Sequence, residues 1–183
     1  NSPGGAVGPT QEIYEEIRRI VKAGAELGIK KIRLTGGEPL ARKGVAKLVA
    51  MLNKIEGIEE IAMTTNGILL SKHGKELVQA GLERVNISLD SLDPQKFKEI
   101  TRFDKYQQVI EGIETALEVG LDPVKINVVV LKGINDDEIL NFVNLTRQYP
   151  VHVRFIEFMP SGAKKIEQEK RYLGMDKVKE IIT

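Results

Sequence analysis

Lys31-Ile-Arg-Leu-Thr35-Gly-Gly-Glu-Pro39 is the stretch that decides how the chain is read. The apolar run Ile32 to Leu34 ends in a threonine, two glycines, a carboxylate and a proline, which is how a buried strand empties into a binding loop. Gly36 and Gly37 carry no Cβ, so a ligand can approach the main chain and pair with its N–H and C=O groups. Glu38 can accept from a cation, such as the ammonium of a bound amino acid. Pro39 fixes φ and stops the strand. An ordinary strand-to-helix turn accounts for the spacing equally well.

Outward from this stretch the same pattern repeats: helix, short turn, apolar strand, polar loop. Upstream, Ile13, Ile17, Ile20, Val21 and Leu27 follow helical spacing from Thr10 until Gly28. The expected strands are Lys31 to Leu34, Glu60 to Thr64, Arg84 to Leu89, Lys125 to Leu131 and His152 to Phe158. Between and after them, helices are expected over Gly44 to Lys54, Ser71 to Ala80, Pro94 to Ile100, Tyr106 to Val119, Asp136 to Arg147 and Asp176 to Ile182. Asp93-Pro94 reads as a helix N-cap followed by a first-turn proline. Gly57, Gly81 and Gly120 offer left-handed caps, and Asn135 reads as an N-cap followed by carboxylates. Ile- and Val-rich strands separated by helices imply right-handed crossovers and a parallel sheet. Neither G-x-G-x-x-G nor G-x-x-x-x-G-K occurs, so the reading favours an α/β chain forming a partial (β/α) TIM-like barrel over a nucleotide-binding open sheet.

The 183 residues are read as one domain over 10–183, behind a Gly- and Pro-rich leader or tag remnant at 1–9. Twenty-seven basic and 26 acidic residues leave a net charge of +1, which gives no electrostatic case for nucleic acid or a membrane surface. No apolar run is long enough to span a bilayer and no secretory signal is visible, so a cytoplasmic location is expected. The chain has no cysteine, which removes disulfides, thiolate nucleophiles and thiolate-bound zinc or iron-sulfur clusters. His73 and His152 are far apart in the sequence and make a poor case for a metal or a triad. The charged runs Lys164-Lys165 and Glu167 to Arg171 read as a solvated segment or as a loop that orders on a partner.

In a parallel β/α architecture the ligand lies at the C-terminal strand ends. There the sequence places Thr35 to Pro39, Thr64 to Gly67, Ser88 to Ser91 and Glu157 to Pro160. Thr64 and Ser88 supply hydroxyls, Met159 a polarizable contact for a flat ring, and Arg33 and Lys125 cations within apolar runs. A satisfied strand-end hydroxyl, a core methionine and a snorkelling lysine are the bland alternatives.

Six segments occur here in order: Ile32-Arg-Leu-Thr-Gly-Gly-Glu-Pro39, Thr64-Thr-Asn-Gly67, Arg84 to Asp93, Val124-Lys-Ile-Asn127, Gly133 to Glu138 and Arg154-Phe-Ile-Glu-Phe-Met-Pro160. Together they resemble the GTP 3',8-cyclase family of radical S-adenosylmethionine enzymes, the A proteins of molybdenum-cofactor biosynthesis. The resemblance implies a partial barrel that binds S-adenosylmethionine and GTP at its mouth and makes the cyclic pterin precursor 3',8-cyclo-7,8-dihydro-GTP. By resemblance, Gly36, Gly37 and Glu38 match the segment holding the methionine moiety, Ser88 and Met159 further cofactor contacts, and Arg33, Thr64 and Lys125 contacts to GTP.

The family opens with a strand and a three-cysteine loop that ligates the cluster, and its C-terminal region holds a second cysteine set; neither is present in this sequence. The chain is therefore expected to be a truncated central portion, lacking the first strand and the C-terminal region and inactive by itself. A missing first strand would open the Lys31 to Leu34 edge to homo-association. The rival readings are a radical S-adenosylmethionine enzyme with another substrate, and a non-catalytic scaffold or binding module.

Overall fold

The computed structural model describes residues 10–160 and 169–183. The leader assigned to 1–9, and Lys164 and Lys165, lie outside the described residues. In chain order the elements are α1 (Thr10–Glu26), β1 (Lys31–Leu34), α2 (Val45–Asn53), β2 (Glu60–Thr65), α3 (Leu70–Ala80), β3 (Arg84–Ser88), α4 (Pro94–Thr101), α5 (Tyr106–Glu118), β4 (Val124–Val130), α6 (Ile139–Gln148), β5 (Val151–Glu157) and α7 (Met175–Ile182). Short 3-10 turns at Pro39–Ala41 and Asp136–Glu138 lead towards α2 and α6.

The five strands form one parallel sheet in the order β1-β2-β3-β4-β5. A strand order without reversal, joined by right-handed crossovers, sends every crossover helix to the same face. A doubly wound sheet needs a reversal and helices on both faces. The chain is thus a partial (β/α) barrel, an arc of sheet with helices outside and an open inner face.

The pleat sorts the side chains accordingly. Ile61 and Met63, Val85 and Ile87, and Val124, Ile126 and Val128 point outward and join Leu48, Val49 and Leu52 of α2, Leu77 of α3, Val109 and Ala116 of α5 and Phe142 of α6 in one buried core. Tyr14 anchors α1 to it at 2% exposure, while its hydroxyl donates to the Lys43 carbonyl at 2.9 Å.

The local signals explain most element ends. Asp93 caps α4 by accepting from the Lys96 N–H at 2.8 Å, with Pro94 at the first helical position. Gly81 ends α3 at φ 107°, and a Cβ there would run into the Asn53 side chain, so glycine also lets the end of α2 come close. Gly120 stands at φ 83° just beyond the α5 cap, Val119.

Two expectations are corrected. α2 is capped by Lys54, so Gly57, at φ 91°, shapes the turn toward β2 instead. Asn135 makes no side-chain cap: its Nδ2 donates to the carbonyls of Asp90 (2.6 Å) and Val129 (2.9 Å), and its Oδ1 accepts from the Leu131 N–H at 2.7 Å. A carboxamide can donate and accept at once, so it suits the unpaired main-chain groups where β3 and β4 part.

Candidate functional site

The open face carries the polar strand residues, and the register arranges them in rows about 4.8 Å apart from strand to strand. At the N-terminal end Lys31 pairs with Glu60. Above it come Arg33, Ala62 and Arg84, then Thr64, Asn86, Lys125 and His152, then Ser88, Asn127 and Arg154. Arg33, Thr64, Ser88 and Lys125, singled out from sequence on four different strands, therefore share one face.

Two of the lower cations are paired. Arg84 Nη2 lies 2.6 Å from Glu60 Oε1, and Lys31 Nζ lies 3.5 Å from Glu60 Oε2. Arg33, Lys125 and Arg154 are different: among the described residues no carboxylate lies within 4.0 Å of their charged nitrogens. An unbalanced group of cations on a concave surface attracts anions.

At the strand ends, Gly36 and Gly37 have different reasons to be glycine. Gly36 sits at φ 115°, which a side chain rarely adopts, whereas Gly37 has no such backbone requirement. A Cβ on Gly37 would meet nothing within 4 Å. The space beside its main chain is open to a ligand. Ser88 ends β3 with its side chain exposed, and Met159, just past β5, is 82% exposed and is no core filler.

Glu38 ties two loops together in this structure. Its Oε1 accepts from the Leu40 N–H (3.0 Å) and the Thr65 hydroxyl (2.7 Å), and its Oε2 accepts from the Asn66 N–H (2.7 Å). Thr65 Oγ1 in turn accepts from the Gly67 N–H at 3.1 Å. One carboxylate thus ties the Gly36-Gly37 loop to the Thr64 to Gly67 loop. A carboxylate with two oxygens and no donor suits a cluster of loop N–H groups.

The next loops are locked in a similar way. Glu138, 5% exposed, accepts from the Ser91 hydroxyl at 3.0 Å and the Leu92 N–H at 2.7 Å, and lies 3.2 Å from Lys96 Nζ. Asp90 accepts from the Val129 N–H at 2.8 Å. Burial pushes the Asp90 carboxyl above the usual aspartate range, with that N–H pulling it back down.

Asn127, unusual in its apolar run, lies on the same face, as do Arg154 and Asn86, which were not among the residues singled out. The signal for Arg154 was the alternation Val151-His-Val-Arg-Phe155, which puts His152 and Arg154 on one side of β5. Among the described residues no group of His, Cys, Asp and Glu could hold a metal ion.

Residues 4–146 match the Radical SAM superfamily. The chain belongs to that superfamily. It is 59% identical over 169 residues to the GTP 3',8-cyclase of Petrotoga mobilis, covering 92% of this chain and 52% of that protein. To the GTP 3',8-cyclase of Alkaliphilus metalliredigens it is 54% identical over 165 residues, covering 90% and 52%. This radical SAM chain thus spans about half the length of the curated relatives it matches. Its fold is also that of Streptococcus suis SuiB, with a TM-score of 0.72 at 20% identity over 92% of this chain and 39% of that one.

Proposed function

We propose that the open face is the substrate and cofactor face of a radical S-adenosylmethionine GTP 3',8-cyclase, and that this chain is a portion of that enzyme. The observation that carries the reading is the gathering of Arg33, Thr64, Ser88 and Lys125 on one uncovered face. The identity to GTP 3',8-cyclases supports it. Arg33, Thr64 and Lys125 take GTP, with the two cations meeting its phosphates. Gly36, Gly37, Ser88 and Met159 take S-adenosylmethionine, and the open space at Gly37 fits a ligand laid along the main chain. Glu38 holds the two loops in register for both.

An iron-sulfur cluster does not fit the residues present: there is no cysteine in the chain, so no thiolate can ligate one. No radical step is assigned to these 183 residues. What they supply is binding and orientation of the two ligands.

Equilibrium dialysis against S-adenosylmethionine tests the cofactor half. Saturable retention, lost in Gly37→Val, is the expected result; no retention by the unaltered chain would count against it.

The outer edge of β1 has no strand partner among the described residues. We infer that two copies associate there, since a free edge is a template for pairing. Light scattering over a concentration series should show growing mass, and a constant monomer mass would refute the association. No helix among the described residues is long and apolar enough to cross a membrane.

A further inference from the structure

We propose that Asn86 is a positioning residue that makes the Thr64 hydroxyl a hydrogen-bond donor toward the open face, so that Thr64 selects an acceptor atom of the ligand. This inference rests on the reading of that face as an anion-binding site. Asn86 is 3% exposed and sits in the middle of the row Thr64, Asn86, Lys125, His152. Its Nδ2 donates to Thr64 Oγ1 at 3.3 Å. Among the described residues this is the one hydrogen bond made by the Thr64 hydroxyl.

A threonine hydroxyl has one hydrogen and two lone pairs. With a lone pair taken up by the Asn86 amide, the hydrogen is left to point at whatever lies on the face. The register sets Asn86 between Thr64 and Lys125, whose ammonium has donors only, and an amide between the two is favoured with its nitrogen toward Thr64 and its Oδ1 toward the cation side, the placement seen in the bond to Thr64. Arg33, Lys125 and Arg154 are likewise donors only. A fourth donor at Thr64, beside these three cations, suits a group rich in acceptors, such as the phosphoryl oxygens. Neither composition nor motif spacing marks Asn86. Only the register and the bond direction do.

The test combines a ligand-free readout with a double-mutant cycle. In 15N-edited NMR of the chain, Thr64→Val should shift the Asn86 side-chain amide resonances. In calorimetry with inorganic triphosphate and with GTP, Thr64→Val and Asn86→Leu should each weaken binding about tenfold, and the double variant no further than either single one. An unmoved Asn86 amide overturns the proposal, and this readout requires no Asn86 variant to fold. Additive losses near a hundredfold in the double variant overturn it as well, because Asn86 would then act independently of Thr64. A chain that shows the shift and binds neither ligand overturns the anion-site reading and with it the role of Thr64 toward a ligand, while the Thr64–Asn86 hydrogen bond stands on the shift.

Discussion

Glu38→Ala should lower the unfolding free energy by about 2–3 kcal/mol, since it removes one ionised acceptor serving three donors on two loops. For a chain of this size that is roughly 4–12 °C in melting temperature. The Asn66 N–H and the Thr65 hydroxyl lose their partner in the same step. Glu38→Gln should fall between, because an amide keeps one accepting oxygen and turns a second donor toward donors. Urea denaturation of the three proteins measures this. A loss below about 0.5 kcal/mol in Glu38→Ala would mean that water replaces the clamp without cost, and that the carboxylate is free for a ligand.

Gly67→Ala should cost about 3 kcal/mol, from two sources that the structure separates. Gly67 is held at φ 79°, where a side chain costs roughly 1–2 kcal/mol. A Cβ there would also lie 2.9 Å from Ile87 Cγ2 and 3.3 Å from Val109 Cγ1, and crowding a packed core costs about 1–3 kcal/mol. Gly36→Ala is the control, because φ is 115° there but nothing lies within 4 Å of the added carbon. Its loss should be confined to the backbone share, about 1–2 kcal/mol. Equal losses at both positions in a thermal melt would show that the Thr64 to Gly67 loop yields to the methyl, and that its packing on β3 and α5 is loose.

Both predictions concern loops that looked in the sequence like ligand loops. They were legible as loops, because glycine, asparagine and proline after an Ile- or Val-rich run have few other uses. The strands were legible for a similar reason, and their ends fell within one residue of those expected, as at β1 (Lys31–Leu34) and β4 (Val124–Val130). The parallel order followed from strand and helix alternation, and the single-sided winding from the order itself.

What the sequence could not show was pairing across elements. Glu38 lies 27 residues before Thr65, and only the β1 to β2 register brings that carboxylate to that hydroxyl. Asn135 has the composition of a cap, yet it is claimed by carbonyls 45 and 6 residues upstream. Arg154 and Asn86 stand in strands that alternate, Val151-His-Val-Arg-Phe155 and Arg84-Val-Asn-Ile-Ser88, but the alternation does not say which residues lie beside them on neighbouring strands. A face becomes visible only once five strands are laid side by side. The resemblance to a family supplied Arg33, Thr64 and Lys125 as a set; the register puts them on one face of the sheet.

If the open face of the sheet is the GTP face, it should bind GTP in this chain without a cluster. Calorimetric titration of GTP into the chain tests it most directly, with Lys125→Ala and an unrelated nucleoside triphosphate as controls. The predicted result is saturable GTP binding, weakened at least tenfold in Lys125→Ala with the melting temperature nearly unchanged, since Lys125 has no carboxylate partner among the described residues to lose. No heat of binding from the unaltered chain, or a folded Lys125→Ala variant that binds GTP as tightly as before, would contradict it.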